Sequence, residues 1–170
     1  MEARAKLLGH PVHQMLIVLP LGLLVGVIIF DVIHLLFGGG QWAMVSYWLI
    51  PPGVLSGLLA AVFGLADWTK IPSGTRAKRV GLLHGGGNVV VVLLFAASWL
   101  LRGGPEAEPA GMALLLSFAG GALSLFTGWL GGELVGRLGV GVDDGANLEA
   151  PSSLSGRPAS DGLQEARAGR

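Results

Sequence analysis

The feature that most constrains this 170-residue chain is a series of four long apolar segments separated by short polar ones. A helix that crosses a bilayer needs about 20 consecutive, mostly apolar residues, and each segment reaches that length. The pattern predicts helices over residues 13–37, 42–68, 79–101 and 110–135. Only 13% of the residues are charged, whereas a soluble domain carries about 25%. The sequence therefore predicts an all-α fold, a four-transmembrane-helix bundle formed by residues 1–142.

Prolines inside the first two helices, and the polar composition of residues 143–170, depart from this simple pattern. Pro20 is expected to bend or loosen the first helix, and Pro51 and Pro52 to kink the second, because proline donates no backbone hydrogen bond. From Asp143 to Arg170 the chain is rich in Gly, Ser, Pro, Ala and charge, with almost no large apolar residues. Such a composition buries too little surface to offset the entropy of ordering. We therefore predict a disordered cytoplasmic tail over residues 143–170.

Basic residues are distributed unequally between the two sides of the predicted bundle. The opposite side from the termini carries Arg102 with Glu106 and Glu108. The side of the termini carries most of the positive charge: Arg4, Lys6, Lys70, Arg76, Lys78, Arg79 and Arg137. By the positive-inside rule, both termini are expected in the cytoplasm. The formal net charge is zero and there is no basic tract, which argues against nucleic acid as a partner.

Polar residues from all four helices are expected at one depth, near the side of the termini. They are His10, His13, Asp67, His84, Asn88 and Glu133. Ionisable groups inside a bilayer usually face the bundle interior or a functional site. Asn88 follows His84 by one turn and so lies on the same helix face. The chain has no cysteine, so a metal or haem site would rest on histidines and carboxylates.

Several interpretations of this polar group remain open. A b-type haem held by His13 and His84, supported by His10 and Asn88, fits the known ligands of haem iron. A quinone site would need only one His or Asp. A metal site could combine His10 and His13 with Asp67 and Glu133. Alternatively, the group only caps and packs the helices, with Asp67 paired to Arg79 or Lys70 and Glu133 paired to Arg137.

A second polar pair, Asp31 and His34, lies in the other half of the first helix. Its expected partner is Arg102. A salt bridge that orients the helices is the simpler interpretation, and a proton path or second ligand site is the alternative. No hydrolase, nucleotide or metalloprotease motif is present, so no catalytic residue is predicted. Glycines spaced four apart indicate close helix packing within the bundle or in a homo-oligomer.

Several motifs together resemble a known bacterial family. They are the opening Gly9-His10-Pro11-Val12-His13, then Asp67-Trp68, then His84 with Asn88, and finally Gly131-Gly132-Glu133-Leu134-Val135 with Gly139 to Asp143. The chain is similar over about residues 8–144 to the predicted membrane proteins of domain of unknown function 2231. The resemblance implies four transmembrane helices in the bacterial inner membrane. Some relatives look fused or adjacent to Rieske-type or cytochrome c domains, which implies a link to electron transfer.

Three functions follow as hypotheses. The first is a redox-associated subunit that holds a b-type haem or quinone near the cytoplasmic face and contacts other membrane or redox subunits. The second is a cofactor-free structural or interaction protein that docks through small-residue helix faces. The third is a small transporter-like unit that uses Asp31, His34 and Asp67. The third ranks last because four helices are few for a transporter that does not dimerise.

Overall fold

A computed structural model describes residues 1–162 of the chain. A short hairpin opens the fold and five α-helices follow. The strands are β1 (Lys6–Leu7) and β2 (His10–Pro11), and the helices are α1 (Val12–Leu16), α2 (Val18–Phe37), α3 (Gly40–Lys70), α4 (Arg76–Leu100) and α5 (Gly111–Gly132). A π-helical turn, Glu133–Arg137, continues α5.

Four stretches of helix are long and apolar enough to cross a membrane, and this confirms the predicted fold class. They are Val12–Phe37, Gly40–Lys70, Arg76–Leu100 and Gly111–Arg137. Their large apolar side chains are mostly exposed, as suits a protein whose solvent at this depth is lipid. The first span contains both α1 and α2. The boundaries differ from the prediction by up to three residues, because the last turns of a helix fray and carry no sharp signal in the sequence.

The start of the chain and the end of the fourth span lie on the same side of the bundle. The ammonium group of Met1 donates to the carbonyl of Gly139 at 3.0 Å, and the four spans alternate in direction. We call this side the terminal end, and the side with residues 38–39 and 101–110 the opposite end. The most extensive packing is within the two hairpins α2–α3 and α4–α5.

The prolines behave partly as predicted. Pro20 cannot donate to Leu16, and the first helix is interrupted at Ile17, between α1 and α2. Pro51 and Pro52 lie inside the continuous helix α3. The second span therefore runs through both prolines, and the expected kink stays a prediction.

The larger of two buried apolar clusters lies in the middle of the bundle and toward the opposite end. It is formed by five residues from three helices: Leu24, Val27, Ile50, Val91 and Phe95. A smaller cluster, nearer the terminal end, is formed by Val80, Leu130 and Leu134. Glycines allow the helices to approach each other at the larger cluster. A Cβ atom on Gly53 would lie 2.6 Å from Leu24, and one on Gly120 would lie 2.9 Å from Phe95. The close packing predicted for glycines spaced four apart is thus confirmed at Gly53, and Gly120 was not predicted. A Cβ atom on the predicted Gly128 or Gly132 would meet no atom within 4 Å.

Residues 1–11, which we call the terminal strap, lie across the terminal end. Backbone N–H groups of Arg4 and Ala5 donate to the Asp67 carboxylate at 2.6 and 3.4 Å. Lys6 pairs with Glu2 and with Asp143. Ser153, in a short 3₁₀ helix (Ser153–Ser155), donates to the carbonyl of Leu8 at 3.0 Å. The disorder predicted from residue 143 onward stays a prediction, and its last part, 163–170, lies outside the described residues.

Candidate functional site

His13 of α1 and His84 of α4 lie side by side near the terminal end. Their ring centroids are 6.4 Å apart and their ring planes are almost perpendicular, at 88°. Both side chains are half-buried. The structure therefore brings together the two histidines that were predicted to form the centre of a site. Their role as ligands stays a prediction.

Each imidazole is fixed by the same type of hydrogen bond. Nδ1 of His13 lies 2.8 Å from the carbonyl oxygen of Ala60, and Nδ1 of His84 lies 2.8 Å from that of Thr127. A carbonyl oxygen only accepts hydrogen bonds, so both Nδ1 atoms carry the proton and donate. In the neutral ring, Nε2 then carries the lone pair, and that of His84 faces the Asn88 amide nitrogen at 3.3 Å. Histidines that bind a metal usually have this arrangement, because the outer hydrogen bond fixes the ring orientation.

Asn88 and Thr127 connect His84 to both helices of the second hairpin. The amide nitrogen of Asn88 donates to the His84 carbonyl at 2.9 Å and lies 3.3 Å from its Nε2. The hydroxyl of Thr127 donates to the amide oxygen of Asn88 at 3.0 Å, and Thr127 is almost completely buried. The prediction that Asn88 lies beside His84 is confirmed. Thr127 was not predicted as part of the site.

Two glycines give the imidazoles the space that they occupy. A Cβ atom on Gly64 would lie 2.9 Å from Cε1 of His13, and one on Gly131 would lie 3.1 Å from Cε1 of His84. Each ring therefore rests directly against the backbone of a neighbouring helix, His13 on α3 and His84 on α5. We call His13, His84, Asn88 and Thr127 the imidazole cluster.

His10 is not part of this cluster, which corrects the expectation that it shares a haem or metal site with His13. His10 lies on β2 and is exposed, with Nε2 3.4 Å from the Ser153 hydroxyl. The physical reason is Pro11, which disfavours a helical conformation at the preceding residue. The helix consequently starts only at Val12.

The two predicted carboxylate ligands are engaged elsewhere. Asp67 accepts from the strap backbone rather than from Arg79 or Lys70. Glu133 pairs with Arg76 at 2.6 Å and not with Arg137, because the π-helical turn places it beside the start of α4. Within residues 1–162, no three His, Asp or Glu side chains are grouped so that they could hold a metal ion. The metal interpretation therefore has no site in this part of the chain.

Arg102 was expected to bind both Asp31 and His34, and only its contact with Asp31 is confirmed. Arg102 binds Asp31 through two hydrogen bonds of 2.9 and 2.5 Å, and both residues are buried. Ser117 of α5 donates to the same carboxylate at 2.8 Å. His34 does not join them, since its Nε2 lies 3.1 Å from the carboxylate of Glu108. The salt-bridge interpretation fits this arrangement.

Comparison with known proteins places the chain in one family. The sequence model of the family described as "Predicted membrane protein (DUF2231)" matches residues 9–144. The chain therefore belongs to this family, as the motifs at its two ends indicated. No curated protein and no solved structure matches it.

Proposed function

We propose that this member of the DUF2231 family is a redox-associated membrane subunit that binds a b-type haem between His13 and His84. The observation that carries the proposal is the spacing of the two rings, 6.4 Å between centroids, with both Nδ1 atoms anchored on carbonyls. When bound, a haem supplies one-electron transfer. The protein contributes the two ligands, their orientation and a surrounding of low polarity.

The two histidines come from different helices and offer ring nitrogens that could hold a haem iron. Nδ1 of each ring donates to a backbone carbonyl, so Nε2 of His13 and Nε2 of His84 would be the ligand atoms. An outer hydrogen bond of this kind fixes the ring orientation of histidines that bind a metal. Nε2 of His84 would exchange its contact with the Asn88 amide, at 3.3 Å, for the iron.

An absorbance titration of the detergent-purified apoprotein with haem tests the proposal. We expect one haem per chain for the wild type, and loss of the low-spin spectrum in His13→Ala and His84→Ala. Added imidazole should restore part of that spectrum in either variant, because the free ligand can enter the space left by the ring. The other two histidines of the chain provide matched controls. His10→Ala and His34→Ala should bind haem as the wild type does, since these side chains contact Ser153 and Glu108 instead.

A cofactor-free structural role is the second candidate, and the closed hydrogen-bond pattern of the cluster favours it. His13 links α1 to α3, and His84, Asn88 and Thr127 link α4 to α5. Such a network stabilises a bundle without any ligand. Under this alternative, the wild type shows no saturable low-spin haem spectrum in the titration, and His84→Ala lowers its unfolding temperature. The spectrum therefore distinguishes the two functions.

We also propose that the terminal end faces the cytoplasm of a bacterial inner membrane. Within residues 1–162, exposed Lys70, Arg79 and Arg137 at this end have no carboxylate partner, while Arg102 at the opposite end is buried against Asp31. The exposed positive charge is therefore concentrated at one end, as the positive-inside rule requires. Because the chain has no cysteine, single cysteines at Ser73 and Glu106 can report topology. A membrane-impermeant maleimide added to intact cells should label only Glu106→Cys.

A further inference from the structure

A groove between α3 and α4 lies near the opposite end, away from the imidazole cluster. It consists of two adjoining cavities of about 340 and 350 Å³ that share Trp99 and Leu100 in their walls. Both volumes lie within the range of small-molecule sites, about 300–1,000 Å³. We call this pair of cavities the α3–α4 groove.

The groove changes in polarity along the membrane normal. Its outer part includes Tyr47 and the backbone of Gly103 and Gly104, two glycines with positive φ values of 73° and 128°. Its inner part is lined only by apolar surface, including Leu55 and Ala96. Leu55 follows Tyr47 by about two helical turns, or about 12 Å at 1.5 Å per residue. A polar outer part and an apolar inner part are complementary to an amphiphile inserted in the bilayer.

Pro51 removes the regular helical donor of one backbone carbonyl beside the groove. In a regular helix, the N–H of residue 51 would donate to the carbonyl of Tyr47, and proline has no N–H. Pro51 and Tyr47 both line the groove. An unpaired carbonyl at membrane depth is costly because lipid offers no donor. Trp99, in the shared wall, also has a buried indole Nε1 without a hydrogen-bond partner among residues 1–162.

We propose that the α3–α4 groove binds a single-chain membrane amphiphile with a hydroxyl head group, which donates to the Tyr47 carbonyl. A hydroxyl is the smallest group that both donates and accepts hydrogen bonds, so it pairs with the carbonyl and still has lone pairs for a nearby donor. The hydrocarbon chain occupies the inner part, against Leu55 and Ala96. This site is independent of the proposed haem site.

Photo-crosslinking in phosphatidylcholine nanodiscs tests the inference. The probe is hexadecanol with a diazirine in its chain, and unlabelled hexadecanol and its methyl ether are the competitors. We expect saturable labelling within residues 47–55 and 96–104. The ether cannot donate a hydrogen bond, so it should compete about fivefold more weakly, as expected for the loss of one hydrogen bond. Ala96→Phe fills the inner part and should abolish saturable labelling.

Two single-proline variants isolate the proposed hydrogen bond. Pro51→Ala restores the N–H that pairs with the Tyr47 carbonyl, so the alcohol should lose its advantage over the ether. Pro52→Ala restores the bond to Trp48, whose side chain does not line the groove, and should keep that advantage. Both changes favour the helix, so both proteins should fold. Equal competition by alcohol and ether in the wild type, or labelling spread over all four spans, would overturn the inference and leave a groove filled by bulk lipid.

Discussion

Arg102 and Asp31 form a two-pronged ion pair at the opposite end of the bundle, with side chains 1% and 0% exposed. The pair connects the loop after α4 with the last two turns of the first span, and Ser117 of α5 donates to the same carboxylate. Three spans are therefore held in one register at this point. Nε of Arg102 is buried without a partner within residues 1–162, so the guanidinium depends strongly on this single carboxylate.

Asp31→Asn is expected to destabilise the protein strongly. It leaves the Arg102 guanidinium buried without a countercharge, which costs about 3–5 kcal/mol in the free energy of unfolding. Reversible unfolding in mixed micelles measures the change. Glu108→Gln is the matched control, because Glu108 is 77% exposed and its pair with His34 is worth less than about 1 kcal/mol. If the two substitutions changed the free energy of unfolding equally, the buried pair would contribute no more to stability than the exposed one.

Replacing both members of the pair should recover much of the lost stability. In Asp31→Leu with Arg102→Met no unpaired charge remains buried, and replacing such pairs by apolar residues is often neutral. We expect the double variant to unfold within about 2 kcal/mol of the wild type. The coupling energy from the double-mutant cycle is the measured quantity. If the two single effects simply add, Asp31 and Arg102 do not act as a unit.

Gly131→Ala is expected to disturb His84, whereas Gly132→Ala is not. A Cβ atom at 131 would lie 3.1 Å from Cε1 of His84, while one at 132 meets no atom within 4 Å. We expect Gly131→Ala to weaken haem binding at least tenfold by displacing a ligand, and Gly132→Ala to leave it unchanged. The haem titration measures both. Unchanged haem binding in Gly131→Ala would show that haem binding does not depend on the observed position of His84.

Much of the fold could be predicted from the sequence because lipid imposes a length on every apolar segment. The neighbouring positions of His13 and His84 follow from their equal depth on different helices. The rotation of α5 about its axis could not be predicted. That helix is apolar on all sides, so its sequence does not indicate which face packs inside the bundle. Thr127 and Ser117 were therefore missed, although both hydroxyls bond across helices.

The remaining errors concern residues whose partners lie on loops, on the terminal strap or at the first residue of a helix. Asp67 binds the terminal strap, Glu133 binds Arg76, and His34 binds Glu108. Helix spacing predicts only neighbours three or four residues apart. Tertiary packing determines where the strap and the loops lie. No regular sequence pattern indicates this packing, so their contacts could not be predicted.

Protection of the terminal strap should decrease at both extremes of pH. The hydrogen bonds to Asp143 and Glu2 raise the pKa of Lys6 above its ordinary value of 10.5. The hydrogen bond from Lys6, and then its charge, lower the pKa of Glu2 below 4.5. A raised pKa contributes stability that is complete below pH 10.5 and lost as the pH rises through the folded value. A lowered pKa contributes stability that is complete above pH 4.5 and lost as the pH falls through the folded value.

Hydrogen exchange at the Gly141 amide, which donates to the Met1 carbonyl at 2.9 Å, measures this effect once intrinsic rates are divided out. We expect a plateau of protection between these limits. Lys6→Met removes the ion pairs of Lys6 with Glu2 and with Asp143. The plateau of protection at neutral pH should therefore be lower in this variant. A flat profile in the wild type at acidic and alkaline pH, or an unchanged plateau in Lys6→Met, would show that these charges do not hold the strap.

A b-type haem held by His13 and His84 would be visible in a reduced-minus-oxidised spectrum of the purified protein. The samples are wild type, His84→Ala and His34→Ala, each purified from membranes of cells supplied with haem. We expect a b-type band in the wild type and in His34→Ala, and its loss in His84→Ala. A wild type without a band, or a band that persists in His84→Ala, would show that these two histidines hold no haem.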